Sequence, residues 1–482
     1  MKSLLKNNDL YLLSAVAAYS YLFYQQSPGI NFFLFTALIL VLIYRQTDKA
    51  IRKHSNWYLT AGASILTAVS VLLNGSGLAV FMNLVSLVLL AGFSFSPRSS
   101  VFVAAANAVY SLAYSLVETG IRISNNKEQA GGGAILAGVQ RQHISMVGIP
   151  LVISVVFLMI YASASSAFSY VLSQIRLDVI SWGWIGFTLL DFVLLFGLLH
   201  PLTITFITEK DLATGNSLTR LKVRKPVSFK FPALKYEYRT SILLLVMLNL
   251  LLLFFILSDA FYLTIGTLPP SVVWADYLHQ GVYGLIFSIL LAIGVLLYVF
   301  RGNLNFYRHN QRLKQLAYIW LALNVVLVLL TLTKNCIYVF NYGLTYKRIG
   351  VYTYLTLTAI GLFFSFIKVA NLKNNWFLFR KNAWALYTVL LVLAMFNWDR
   401  VITFYNISIA RNTDYIYLSR LSDVNLPELI QASRLRNHTF SEIQVQSLLY
   451  RKKRFIDEAS ARDWQSWSYS DWLVQEKLKG LE

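Results

Sequence analysis

The chain is poor in the residues that catalysis and crosslinking use. It has one cysteine, 9 prolines, 6 histidines and only 22 acidic residues in 482. A single cysteine, Cys336, excludes an intramolecular disulfide and any zinc site built on cysteines. Beside an apolar segment it reads as a small buried hydrophobe. The histidines are scattered, with no His-x-x-Glu-His pattern, and neither Gly-x-Ser-x-Gly nor a Walker sequence occurs. The one glycine cluster, Gly131–Gly133, has no Lys-Ser/Thr at phosphate-loop spacing and reads as a flexible joint. No repeat and no Gly/Ser linker is evident. These absences leave no catalytic residue, metal site or cofactor to expect.

Charge is also scarce, at 13%, while hydrophobic residues reach 57%. Soluble domains run near 25% charged and about 45–50% apolar. A soluble enzyme, a disordered chain and a nucleic-acid binder are therefore all poor fits. The net charge of +20 has to be read against a membrane instead.

Runs of apolar residues long enough to be membrane helices are Leu10–Gln25, Ile30–Tyr44, Trp57–Leu73, Gly77–Phe95, Ile144–Tyr161, Ile180–Ile207, Ser241–Leu263, Gly281–Phe300, Leu316–Thr333, Ile349–Ile367 and Ala383–Phe396. The first two are short for a core of ~30 Å and read either as two spans or as a re-entrant pair, which leaves the sidedness of everything later unchanged. The N-terminal run lacks a small-x-small cleavage site and reads as a retained anchor. A further stretch, Val101–Val117, is apolar but dotted with Asn107, Ser111 and Ser115. If it does not span, 26 of the 30 Lys and Arg in residues 1–396 fall on one side. Only Arg176, Lys334, Lys347 and Arg348 fall on the other. So strong a bias is the positive-inside signature, and the stretch is read as an interfacial or re-entrant helix.

The expected fold is all-α: a polytopic membrane protein of about eleven transmembrane helices with a small C-terminal helical tail. The expected division is 1–239, 240–406 and a soluble tail, 407–482. The N-terminus is expected in the cytoplasm of a bacterial inner-membrane protein and the C-terminus outside. The tail is charge-balanced, with 12 basic and 11 acidic residues from 397 onward. It contains a helix entry at Asp423–Pro427, a capping-box pattern at Thr439–Glu442, a basic run Arg451–Arg454 and an aromatic end with Trp464, Trp467 and Trp472.

Ionisable groups at membrane depth are expensive, so each is a functional candidate. Asp191 is centred in its run. His200 lies nine residues on, two and a half turns away and therefore on roughly the opposite face. Asp259, Asp276 and Asp399 are candidate acids at outer helix ends. The most distinctive stretch is 334–352. In it Lys334, Asn335, Tyr338, Tyr346, Lys347 and Arg348 set cations among tyrosines on the cation-poor side. That arrangement suits an anionic lipid or solute, or docking of the tail through Asp399, Asp414 or Asp423.

The runs Asp276-Tyr-Leu-His-Gln-Gly281, Phe300-Arg-Gly-Asn-Leu-Asn-Phe306, Gly343-Leu-Thr-Tyr-Lys-Arg-Ile-Gly-Val351 and Asn397-Trp-Asp399 with Tyr405-Asn406 resemble a family of bacterial multi-pass membrane proteins. It is known only as a domain of unknown function (numbers 4153 and 4173), and the variant here is similar to the Bacteroidota type. The resemblance is clearest over 240–430. It implies an integral inner-membrane protein and supplies no catalytic residues.

Three functions follow as expectations. The first is a non-enzymatic accessory, sensor or assembly factor with an outer docking surface, whose partners are the lipid bilayer and another membrane or periplasmic protein. The second is a transporter or channel, proton-coupled through Asp191. The third, with least support, is an enzyme acting on lipid.

Overall fold

The computed structural model describes residues 7–129, 181–200, 202–219, 232–265, 274–300, 302–434 and 440–481, with isolated positions between 154 and 168. Among them every regular element is a helix, apart from an isolated bridge between Ser217 and Lys373. The first half carries α1 (Asn7–Phe23), α2 (Ile30–Gln46), α3 (Lys49–Arg52), α4 (Ser55–Asn74), α5 (Gly77–Phe93), α6 (Val101–Gln129), α7 (Trp182–Leu199) and α8 (Thr205–Ala213). Then come α9 (Pro232–Ile265), α10 (Trp274–Val299), α11 (Gln311–Tyr342), α12 (Tyr346–Ala370) and α13 (Asn375–Ala394). The tail forms α14 (Trp398–Ser408), α15 (Tyr415–Ser419), α16 (Leu426–Arg434), α17 (Glu442–Ala461) and α18 (Tyr469–Lys479).

Among the described residues six helices are long and apolar enough to cross a membrane: α4, α7, α9, α11, α12 and α13. Shorter apolar helices occupy Leu10–Phe23, Ile30–Gln46, Gly77–Phe93, Val101–Val117 and Phe287–Val299. All but one of the expected runs therefore fall on helices. The exception, Ile144–Tyr161, lies largely outside the described residues, as does Gly131–Gly133.

The chain packs as two compact units. Unit 1 holds residues 1–213, 393–396 and 456–476; unit 2 holds 214–392, 397–455 and 477–482. Residues 407–482 thus contribute to both.

Unit 1 buries an apolar core of Leu12, Ala15, Phe35, Ile39, Leu90 and Leu195 among others. Its helices approach closely where side chains are smallest. A Cβ on Gly92 would stand 2.4 Å from Ala104 O, and one on Gly197 would stand 2.5 Å from Leu112 Cα. Without a hydrophobic drive between helices in lipid, such contacts and interhelical hydrogen bonds supply the adhesion. Asn83 of α5 donates to Ser64 O (3.0 Å) and accepts from Thr36 Oγ1 (3.2 Å), tying α2, α4 and α5 together. The polar positions of 101–117 serve a seam of the same kind. Asn107 accepts from Ile204 N and donates to Thr208 Oγ1, Ser111 bonds the Leu202 backbone both ways, and Asp211 accepts from Ser100 N at 2.6 Å. They hold residues 202–211 along α6.

Unit 2 is built on α9, α10, α11 and α12 around Leu245, Ile289, Leu313, Leu327 and Leu362. The turn that follows α10 is pinned by two polar side chains. Asn305 donates to Phe300 O and Gly302 O. Lys368, one residue past the expected run Ile349–Ile367, is buried in α12 and donates to the same Phe300 O at 3.0 Å. Helix α12 ends in a Schellman arrangement, with Lys373 N bonded to Lys368 O and Leu372 in the left-handed region at φ 49°. That position normally takes glycine.

In the tail, the expected helix entry at Asp423–Pro427 is a short 3-10 turn leading into α16. The capping box sits two residues later than expected. Ser441 Oγ accepts from Gln444 N while Gln444 Oε1 accepts from Ser441 N.

Candidate functional site

The distinctive stretch from 334 to 352 is mostly helix. Helix α11 continues past Thr333, where its apolar run was expected to end, to Tyr342. Lys334 therefore sits within the helix, 3% exposed, rather than in an outer loop. Its ammonium meets Asp259 of α9 at 2.5 Å. The two residues were separate candidates in the sequence, and their pairing explains why a cation stands inside an apolar helix. Each neutralises the other, so neither carries a net charge into the bilayer.

The other candidates cluster at the turn from α11 to α12. Gly343 occupies the turn at φ 80°, ψ 171°, and a Cβ there would stand 2.7 Å from Asn406 Oδ1. Only glycine takes that conformation without strain. Asn406, on α14, closes the turn by bonding both N and O of Leu344. Arg348 donates to Tyr342 O and Gly343 O and lies 4.2 Å over the Tyr338 ring. Asn335 reaches Arg348 O at 3.4 Å. Tyr346 donates to Asp399 Oδ1 at 2.7 Å, and its backbone N–H donates to the Tyr417 hydroxyl at 3.0 Å. The other Asp399 oxygen accepts from Ser422. Burial, chiefly, pushes the Tyr417 hydroxyl above the usual phenol range. Lys347 and Tyr346 are left exposed at the tip.

The expected ion pairs to the tail do not form among the described residues. Asp423 pairs with Arg451 (2.6 Å) and Arg454 (3.1 Å) inside the tail, and Asp414 caps α15 by accepting from Tyr417 N. The tail reaches the turn through a neutral amide, a tyrosine and one carboxylate instead. Asn406 and Gly343 were overlooked as site residues, although both stand in the motifs that carried the family resemblance.

The remaining candidates lie elsewhere. Asp191 is 2% exposed on α7, and its Oδ2 has no hydrogen-bond partner among the described residues. His200 caps the same helix, stacked on Phe196 at 4.4 Å with Nδ1 against Phe196 O. The side chain of Asp276 lies outside the described residues. Cys336 is exposed rather than buried, with Tyr352 OH directed at its sulfur. Among the described residues no cluster of His, Cys, Asp or Glu is arranged to hold a metal ion.

Long apolar helices, a buried ion pair between two of them, and polar seams between close-packed helices define a polytopic all-α membrane protein. The family model described as a domain of unknown function (DUF4153) matches residues 11–432, and the chain belongs to that family. No curated protein and no solved structure matches it.

Proposed function

We propose that the chain is a non-enzymatic accessory, sensor or assembly factor of a bacterial inner membrane. In this reading the N-terminus is cytoplasmic, the C-terminus extracytoplasmic, and the α11–α12 turn of unit 2 forms the docking surface for a second membrane or periplasmic protein. One observation carries the reading. Motif residues far apart in sequence (Gly343, Tyr346, Asp399 and Asn406) converge to fix the shape of one turn, and leave Lys347 and Tyr346 exposed on it. Rigid presentation of an exposed cation and aromatic is what a recognition surface needs. The sidedness rests on the distribution of Lys and Arg. It is supported within unit 1, where the C-terminus of α4 (Ser70 and Asn74) bonds the carbonyls of Ala394 and Met395. Both helix ends were assigned to the outside.

The test is a photo-crosslinking residue at Lys347 in native membranes, read by mass spectrometry. A discrete protein adduct, lost in Tyr346→Ala, supports the reading. Adducts to lipid and to the chain itself alone, across mild conditions, refute it. A second reading is favoured by Asp191, whose buried Oδ2, without a hydrogen-bond partner among the described residues, fits an ion-coupled transporter. An Asp191→Asn variant with unchanged ion flux in proteoliposomes would remove it.

A further inference from the structure

Residues 456–476 lie beyond the part of the chain matched by the family, and they belong to unit 1. They are seated on the Ser27-Pro28-Gly29 turn between α1 and α2. Gln26 donates to Asp463 (2.9 Å) and accepts from Ser466 Oγ (2.7 Å). Ser27 N donates to Ser466 Oγ (2.9 Å), and Ile30 N to Trp467 O (2.8 Å). Glycine at 29 permits this contact, since a Cβ there would stand 2.4 Å from Trp467 O.

Helices α1 and α2 are apolar over Leu10–Phe23 and Ile30–Gln46; with the two read as a pair of spans, the turn joining them falls at the membrane boundary and the segment bonded to it at headgroup depth. Its composition suits that depth. Trp464, Trp467, Tyr469 and Trp472 are each 40–52% exposed. Their aromatic face continues onto α1, where Tyr21 is 64% exposed with its ring centroid 6.4 Å from that of Trp464. Indole and phenol rings, apolar in body and polar at one edge, collect at the membrane–water boundary.

Among these rings lies a cavity of about 110 Å³, lined in part by Arg462, Asp463, Trp464, Trp467, Asp471 and Trp472. Arg462 and Asp471 pair at 2.5 Å, so the carboxylate of Asp463 sets the sign of the lining as negative. An anionic phosphate is disfavoured there. A cation is favoured by the carboxylate, and the lining indoles are the side chains that favour a cation through their π-systems.

We propose that this pocket is a headgroup site that takes the ammonium of a zwitterionic aminophospholipid, with the surrounding tryptophans set in the bilayer interface. The inference rests on the membrane assignment and not on the docking surface of unit 2, so either can fail alone.

The full-length protein in nanodiscs tests it. Phospholipids brominated near the headgroup should quench a fraction of the tryptophan fluorescence that is missing in a Trp464→Phe/Trp467→Phe/Trp472→Phe variant. Native mass spectrometry should show phosphatidylethanolamine retained over phosphatidylglycerol by about tenfold. Asp463→Asn, which keeps an acceptor for Gln26, should abolish that preference while leaving the fold and the bromolipid quenching intact. Equal retention of the two lipids would overturn the site. Quenching of the same tryptophans by aqueous iodide but not by bromolipid would overturn its placement. Displacement of the lipid by free ethanolamine at millimolar concentration would make a soluble amine the ligand and overturn the lipid assignment.

Discussion

Breaking the Lys334–Asp259 pair one partner at a time should cost far more than removing both. The side chains are 4% and 9% exposed and 2.5 Å apart, between two long apolar helices. In Asp259→Asn the ammonium of Lys334 stays buried with its counter-ion gone. Such a change costs about 3–5 kcal/mol, whereas replacing both partners by apolar groups of similar size is close to neutral. At about 2–4 °C per kcal/mol for a unit of this size, the single variants should lose about 6–20 °C. The double variant Asp259→Leu/Lys334→Met should stay within a few degrees of wild type. The swapped pair, Asp259→Lys/Lys334→Asp, should recover part of the loss, because the charges still cancel. The assay is thermal unfolding of the purified protein in mild detergent, followed by intrinsic fluorescence. A double variant as unstable as the worse single one would refute the reasoning, since it would mean that the two residues hold unit 2 through something other than their mutual neutralisation.

The α11–α12 turn should prove sensitive to a single methyl. Gly343→Ala forces a Cβ toward Asn406 at a positive φ and should cost about 1–3 kcal/mol, seen as a lower midpoint of thermal unfolding and faster proteolysis near residue 343. Leu372→Gly should stabilise by about 1 kcal/mol, because it relieves a left-handed leucine at the C-terminus of α12; a lower unfolding midpoint would contradict this. Asp211→Ala removes the acceptor of the Ser100 N–H and should destabilise unit 1 by about 1–3 kcal/mol, measurable in the same melt.

How much of this was legible in the sequence differs by kind of interaction. Apolar runs report helices because each residue adds its transfer free energy independently, and ten of the expected runs land on helices. The ends of those runs were less legible. Scanning hydropathy stops at Lys334 because it prices a lone lysine as if it faced lipid, and it cannot see Asp259 arriving from another helix 75 residues away. The same blindness ends the expected run at Ile367, just before Lys368, although a buried carbonyl of Phe300 receives that lysine. Polar dots in 101–117 were visible, but their use was not. Asn107 and Ser111 bond a segment about 90 to 100 residues further on, and no local pattern encodes such a partner. The candidate residues that the structure gathers at one turn, Tyr338, Tyr346 and Arg348, stood together in sequence. Those overlooked, Asn406 and Gly343, act as a pair separated by 63 positions.

The positive net charge and the few cations at helix ends look like one problem in the sequence and separate into two in the structure. Exposed Lys and Arg in loops record insertion, and exchanging one for another changes little. Lys334, Lys368 and Arg348 do different work. Each directs its donors at a specific acceptor: a carboxylate, the carbonyl of a pinned turn, and the two carbonyls that end α11. A helix that ends near a membrane boundary leaves carbonyls without partners, and water competes poorly for them there. A guanidinium offers several donors in one plane and stays charged, so Arg348 can cap two carbonyls and still stack on Tyr338. Lysine in its place would keep the charge and lose the fork. Arg348→Lys should therefore loosen the α11–α12 turn, while Lys347→Arg, at an exposed neighbouring position, should not.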